Sequence, residues 1–176
     1  MTTSAAPELY YLPYDVFLAD LETIAEQLAA DSWKPDFLVG VGRGGLVPAA
    51  YLSHRTGLTM LSVDHSSGDA AFADELLAKL AAKSRDGSRI LIVDDINDSG
   101  STLAYLREVL VSHGCSEPHI RVAVLVNNTI SRARVEYAGT HIDRSQDKRW
   151  YVFPWEAVAP RESLFEDAAE MPERIA

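Results

Sequence analysis

The sequence predicts an α/β fold, a single domain built on a parallel sheet of about five strands flanked by helices. Three observations predict it. Short apolar runs alternate with amphipathic stretches, which is strand–helix repetition with right-handed crossovers. The strongest run, Ile90-Leu91-Ile92-Val93, is apolar at every position, as a strand covered on both faces must be. And 176 residues, 47% of them hydrophobic, suit one domain that buries its core without a disulfide or metal staple.

The elements follow in order. Residues 1–12 read as a leader ending at Pro13. From Tyr14 to about Ala30, Phe17, Leu21, Ile24 and Leu28 fall on one helical face, and Asp31, Ser32 and Pro35 end the helix. Phe37–Val41 is a short apolar strand. The glycine cluster Gly42-Arg43-Gly44-Gly45 follows, then a helix from Leu46 to about Arg55 with Pro48 in its first turn and Gly57 at its end. Thr59–Val63 is the second strand. Asp64–Gly87 opens polar around His65 and becomes helical, with Phe72, Leu76, Leu77 and Leu80 on one side.

Arg89–Val93 is the third strand, Asp94–Ser101 a loop, and Thr102 to about His113 a helix closed by Gly114. Ile120–Val126 is the fourth strand and Trp150–Phe153 the fifth. The acidic stretch beginning at Glu162 reads as a solvated tail, so the domain spans 1–176 with 1–12 and 162–176 peripheral.

Composition excludes several roles. Lys and Arg number 16 against 26 Asp and Glu, a formal charge of −10, which argues against nucleic acid and against an anionic membrane surface. A small anionic substrate is compatible with it, because one local site can oppose the global sign. The lone Cys115 rules out a disulfide within the chain and fits a reducing compartment. There is no 18-residue apolar run, and Met1–Tyr11 has neither the basic nor the apolar region of a signal peptide. A cytoplasmic location is expected.

The informative segment is Val93-Asp94-Asp95-Ile96-Asn97-Asp98-Ser99-Gly100-Ser101-Thr102. An apolar strand delivers adjacent carboxylates to the carboxyl edge of the sheet, where ligands of such sheets bind. A loop of small residues then opens a helix, whose amides and positive end suit a phosphate. Ser99, Ser101 and Thr102 add hydroxyl donors. The carboxylates suit vicinal hydroxyls, directly or through a divalent cation. Phosphate beside diol describes a ribose 5-phosphate. An ordinary helix cap would explain one or two of these residues, but not three aspartates and a glycine within seven positions.

This segment resembles the phosphoribosyl-diphosphate (PRPP) motif of type I phosphoribosyltransferases, with Ser99 where threonine is usual. The resemblance implies that family's fold, with a small base-binding hood. It implies that Asp94 and Asp95 hold the ribose hydroxyls, and Mg²⁺ directly or through water. Ser99, Gly100, Ser101 and Thr102, with the Asp98 backbone, would cradle the 5-phosphate. Asp98 would be the general base near N7 of a purine.

Gly40-Val41-Gly42-Arg43-Gly44-Gly45 also satisfies the dinucleotide-binding spacing, with Asp64 at the end of the next strand. That reading leaves Asp94–Thr102 unexplained. In the resembling family the same loop binds the diphosphate of PRPP, and Arg43, Gly44 and Gly45 are the matching positions.

Trp150-Tyr151-Val152-Phe153-Pro154-Trp155-Glu156 resembles the base-binding segment of the xanthine–guanine branch. Trp150 would stack on the purine, and backbone carbonyls near Tyr151 and Val152 would meet its 2-position, while Trp155 is expected in the core. Asn127 falls where that branch places a lysine for the 6-oxo group. An asparagine can donate to a 6-oxo or accept from a 6-amino group, so the base stays open. The implied reaction transfers a phosphoribosyl group from PRPP to a purine, most directly guanine, xanthine or hypoxanthine, in a homo-oligomer. Adenine or another base remains open, as does a non-catalytic PRPP sensor.

Overall fold

The computed structural model describes residues 7–63 and 70–169, and at 70–73 the backbone alone. Along the chain run β1 (Leu9–Tyr11), α1 (Tyr14–Ala30), β2 (Phe37–Val41), α2 (Gly42–Thr56), β3 (Thr59–Val63) and α3 (Ala70–Arg85). Then come β4 (Ile90–Asn97), α4 (Ser101–Ser112), β5 (Ile120–Asn128), β6 (Tyr137–Ile142), β7 (Trp150–Val152) and α5 (Arg161–Ala169).

Five strands form one parallel sheet, as expected, and their order is β3-β2-β4-β5-β6. The order reverses between β2 and β4. One leads outward through α2 to β3, the other through α4 to β5. Crevices of open α/β sheets form at such a reversal, beyond the strands' carboxyl ends.

The continuous apolarity of β4 has a direct cause. Leu91 and Val93 pack on α1 and α2 with Phe17, Leu21, Ile24, Ala49 and Leu52. Ile90 and Ile92 pack on α3 and α4 with Leu77, Leu80, Leu106 and Leu110. Alternate side chains enter opposite layers, and both layers are buried.

Four expectations are corrected. The fifth strand of the sheet is β6, whose Ala138 and Gly139 carry little strand propensity. Tertiary contacts hold it instead. The Gln27 amide of α1 donates to the Ala138 carbonyl at 2.9 Å and accepts its N–H at 3.1 Å, and Thr140 donates to Asp20 at 2.7 Å. A Cβ at Gly139 would overlap Asp20, so the glycine admits the helix.

The segment expected as fifth strand leaves the sheet. Trp150–Val152 pairs in parallel with β1, and the Leu12 N–H donates to the Val152 carbonyl at 2.9 Å. Residues 9–12 are therefore built into the fold rather than peripheral, and Leu12 is buried.

The third correction concerns α2, which starts at Gly42 rather than Leu46 and so places Pro48 in its second turn. Glycine disfavours helices in isolation, but here it lets the helix touch the sheet: a Cβ at Gly45 would overlap the Val93 carbonyl. Finally, part of the expected tail is the helix α5, which buries Leu164 and Ala168.

Strands β4 and β5 also run further than expected, so Asp94 and Asp95 lie in β4 and Asn127 in β5. His65 and Phe72 fall outside the described residues. Among those described, no helix is long and apolar enough to cross a membrane. Leu12→Ala tests the built-in leader: it should cost about 2–4 kcal/mol in a urea melt, the penalty of a buried leucine, where a peripheral residue would cost almost nothing.

Candidate active site

At the reversal point a cleft of about 620 Å³ opens between three segments remote in sequence. Residues 41–44 line it from the β2–α2 turn, 94–103 from β4 and the start of α4, and Trp150, Tyr151, Phe153 and Glu156 from β7 onward. The sheet carries the first two, and β1 holds the third.

The structure brings most of the expected residues together. Arg43 is exposed on the cleft wall and Gly44 lies beside it. The Gly44 backbone sits against the Asp95 carboxylate, leaving no room for a Cβ. Gly45 is buried one residue behind, against β4, and is not among the lining residues. The Gly42–Arg43 peptide is trans.

Asp94 is buried, and its carboxylate accepts the Asp95 N–H at 3.0 Å. Burial pushes the Asp94 carboxyl up to about 7. Asp95 is half-buried but poorly solvated. Burial, then the neighbouring charges of Asp94 and Glu156, push its carboxyl well above the usual range. Two such carboxyls offer hard oxygen donors that a divalent cation would relieve of mutual repulsion, so Mg²⁺ fits them by chemistry. No group of three or more acidic, His or Cys side chains suited to a metal exists among the described residues. An ion here would need further oxygens from its substrate.

The phosphate-type loop is Asp98-Ser99-Gly100 leading into α4. Gly100 adopts φ +84°, and a Cβ there would stand 2.6 Å from Ser131 Oγ and 2.7 Å from the Ala133 nitrogen. Only glycine meets both demands. Ser99 and Ser101 share a hydrogen bond between hydroxyls at 2.8 Å, and Ser101 N–H donates to Ser99 Oγ at 3.2 Å. Ser99, Gly100, Ser101 and Thr102 all line the cleft beside the first-turn amides of α4, which lack helical partners.

Two residues unforeseen from the sequence complete this end. Arg132, in the β5–β6 connection, donates to Ser101 Oγ at 2.7 Å. Arg144 is buried, and its Nε donates to Asp98 Oδ1 at 2.9 Å while Nη2 reaches Asp98 Oδ2 at 3.3 Å. Arg132 follows a strand that runs to Asn128 rather than Val126, Arg144 follows one that the sequence pattern did not mark, and neither belongs to a motif.

From the third segment, Trp150 and Tyr151 line the cleft. Val152 does not. Its carbonyl faces β1 and is taken by Leu12, and in a parallel ladder the Tyr151 backbone then faces the opposite edge. Trp155 packs in the core, stacked on Phe153 with centroids 5.1 Å apart. Asn127 is also absent from the lining. Its carbonyl oxygen accepts from Asn97 at 2.8 Å, and its amide donates to His141 at 3.2 Å. Register explains this, because Asn97, Asn127 and His141 sit side by side on β4, β5 and β6.

A phosphoribosyl transferase domain model matches residues 12–159, which span all three walls of the cleft. The chain belongs to the phosphoribosyl transferase domain family. Solved structures carry the same fold. A purine phosphoribosyltransferase from Pyrococcus horikoshii is 26% identical, with TM-score 0.62, covering 87% of this chain and 97% of its own. A xanthine-guanine-hypoxanthine phosphoribosyltransferase from Helicobacter pylori is 23% identical, with TM-score 0.61 and coverage of 85% and 94%. A hypothetical protein from Neisseria gonorrhoeae with bound ppGpp is 20% identical, with TM-score 0.64 and coverage of 94% and 98%.

In this phosphoribosyl transferase domain, burial of Asp94 sets a pH dependence. The folded state holds the Asp94 proton more tightly than the unfolded chain does. Its stabilising contribution is therefore complete at low pH and is lost as pH rises from 3.8 through about 7. Asp94→Asn should raise the ligand-free melting temperature at pH 8, by at most about 4 kcal/mol in stability, and leave it unchanged near pH 3.5. Equal melting temperatures at pH 8 would contradict the burial argument.

Proposed function

We propose that this chain transfers the 5-phosphoribosyl group of PRPP to a purine base, giving a nucleoside 5′-monophosphate and diphosphate. The observation that carries the reading is the convergence of the three remote segments on one cleft. The Asp94 and Asp95 carboxylates stand between the start of α4 and the Arg43 turn, an arrangement that supports binding of the parts of PRPP. The Pyrococcus horikoshii relative supports a purine as acceptor.

In this reading the Ser99–Thr102 loop and the start of α4 hold the 5-phosphate. Asp94 and Asp95 hold the ribose hydroxyls and, with the substrate's own oxygens, Mg²⁺. When bound, that ion neutralises charge on the diphosphate. Arg43 and the Gly44 amide steady the leaving diphosphate, with Gly45 keeping their turn against β4.

Cleavage at the anomeric carbon builds positive charge on the ribose, as in glycoside hydrolysis. Asp94 and Asp95 lie where such charge would be stabilised. Trp150 stacks on the base and excludes water, and Asp98 takes or holds a proton of the purine. The protein acts in the cytoplasm.

A 6-oxopurine is the proposed acceptor, from the Trp150–Glu156 segment. Adenine is the second reading, and one observation favours it. Among the described residues lining the cleft, Arg43 is the one cation, and Asn127 is engaged elsewhere. No charged donor then waits for a 6-oxo group.

The test is diphosphate release from PRPP and Mg²⁺ with guanine, hypoxanthine, xanthine, adenine or no base. Release with a 6-oxopurine is expected. Release with adenine alone would move the acceptor, and absence of PRPP binding would overturn the reading. Asp98→Asn should lower kcat by about 10²-fold or more, the scale of a general base, with PRPP affinity nearly unchanged; equal losses in both would refute the role.

A further inference from the structure

We infer that Arg144 is a positioning residue for the Trp150 end of the cleft, fixing the Asp98 carboxylate against the turn before β7. The inference rests on the functional reading above and deepens it. Arg144 is only 5% exposed and is not among the cleft-lining residues, so it acts from behind the wall.

Its guanidinium is almost fully used. Nε and Nη2 meet the two oxygens of Asp98, at 2.9 and 3.3 Å. Nη1 donates to the carbonyls of Asp147 at 3.1 Å and Arg149 at 2.7 Å. The group also stands over the Tyr151 ring, 5.2 Å from its centroid. A planar fork holds both carboxylate oxygens in one plane, which a single ammonium cannot do.

The main chain is gripped as well. The Arg144 N–H donates to Asn128 Oδ1 at 3.2 Å, and Asn128 Nδ2 donates to the Asp98 carbonyl at 3.0 Å. Asp98 is thus held at its carboxylate by Arg144 and at its backbone by Asn128, with Asn128 and Arg144 bonded to each other. A pair this buried adds little net stability, because desolvation offsets attraction. Its effect is geometric. It ties the loop after β4 to the turn before β7, the two walls between which a purine would lie.

That turn is itself braced. Its Asp143 carboxylate accepts the Ser145 N–H at 2.8 Å. Asp147 takes two guanidinium bonds from Arg149, at 2.9 and 2.8 Å, and the Tyr151 hydroxyl at 2.8 Å. Arg144 joins this rigid turn to Asp98. The carboxylate therefore keeps one orientation relative to that turn.

Arg144→Lys keeps the charge and removes the fork. With PRPP and the best base, it should lower kcat about 10²-fold, the scale of a misplaced group. PRPP affinity by calorimetry should stay within about twofold, and in an Asp98→Asn background Arg144→Lys should change kcat by less than about twofold, since both act through one carboxylate. Additive losses across the cycle, an unaltered kcat, or a fall in PRPP affinity matching the fall in kcat would each overturn the inference.

Should Arg144→Lys fail to fold, Asp98→Asn/Arg144→Met leaves no charge buried alone. A kcat equal to that of Asp98→Asn supports the role, and a further large loss opposes it. If the unaltered protein releases no diphosphate with any base, the functional reading fails and takes Arg144's role with it. Turnover that ignores Arg144 overturns this inference alone.

Discussion

The cleft depends on one close approach, the Gly45 backbone against the Val93 carbonyl of β4. That contact sets the height of the β2–α2 turn above the neighbouring strand. It brings Arg43 and Gly44 beside Asp94 and Asp95. Any side chain at 45 would lift the helix from the sheet and separate the two halves of the site. Pro48, one turn further on, removes the amide that would bond the Gly44 carbonyl within the helix, so the first turn of α2 is shaped by the sheet more than by its own ladder.

The same packing concentrates charge. Four carboxylates and one guanidinium line the cleft among the described residues, on a chain that already carries −10. Arg144 offsets Asp98 from behind, while Asp95 faces the charges of Asp94 and Glu156.

How much of this was legible follows from what each element depends on. Strands β2 and β4 and helices α1 and α4 announce themselves, because two-sided burial and one-sided packing leave different periodicities. The Asp94–Thr102 segment was legible because its chemistry is local: carboxylates, small residues and a helix start are adjacent in sequence. Strand β6 was not, since it is held by Gln27 and Asp20 from α1 rather than by its own residues. The roles of Asn127 and Val152 depended on which neighbour strand claimed them, which no local pattern encodes. Arg144 follows β6, and with that strand unseen nothing in the sequence brought it near Asp98.

The pairing of β1 with β7 has a consequence for how the molecule is made and handled. Leu9–Tyr11 and Trp150–Val152 are about 140 positions apart, so the aromatic wall closes the longest loop among the paired strands. Contacts of such separation form late in folding and are costly to nucleate. The cleft-lining loops of β2 and β4 can thus be assembled while the aromatic wall is still open. A nascent chain lacks that wall until β7 has been synthesised. A tag or partner domain fused close to Leu9 would load the one short strand that keeps Trp150 in place.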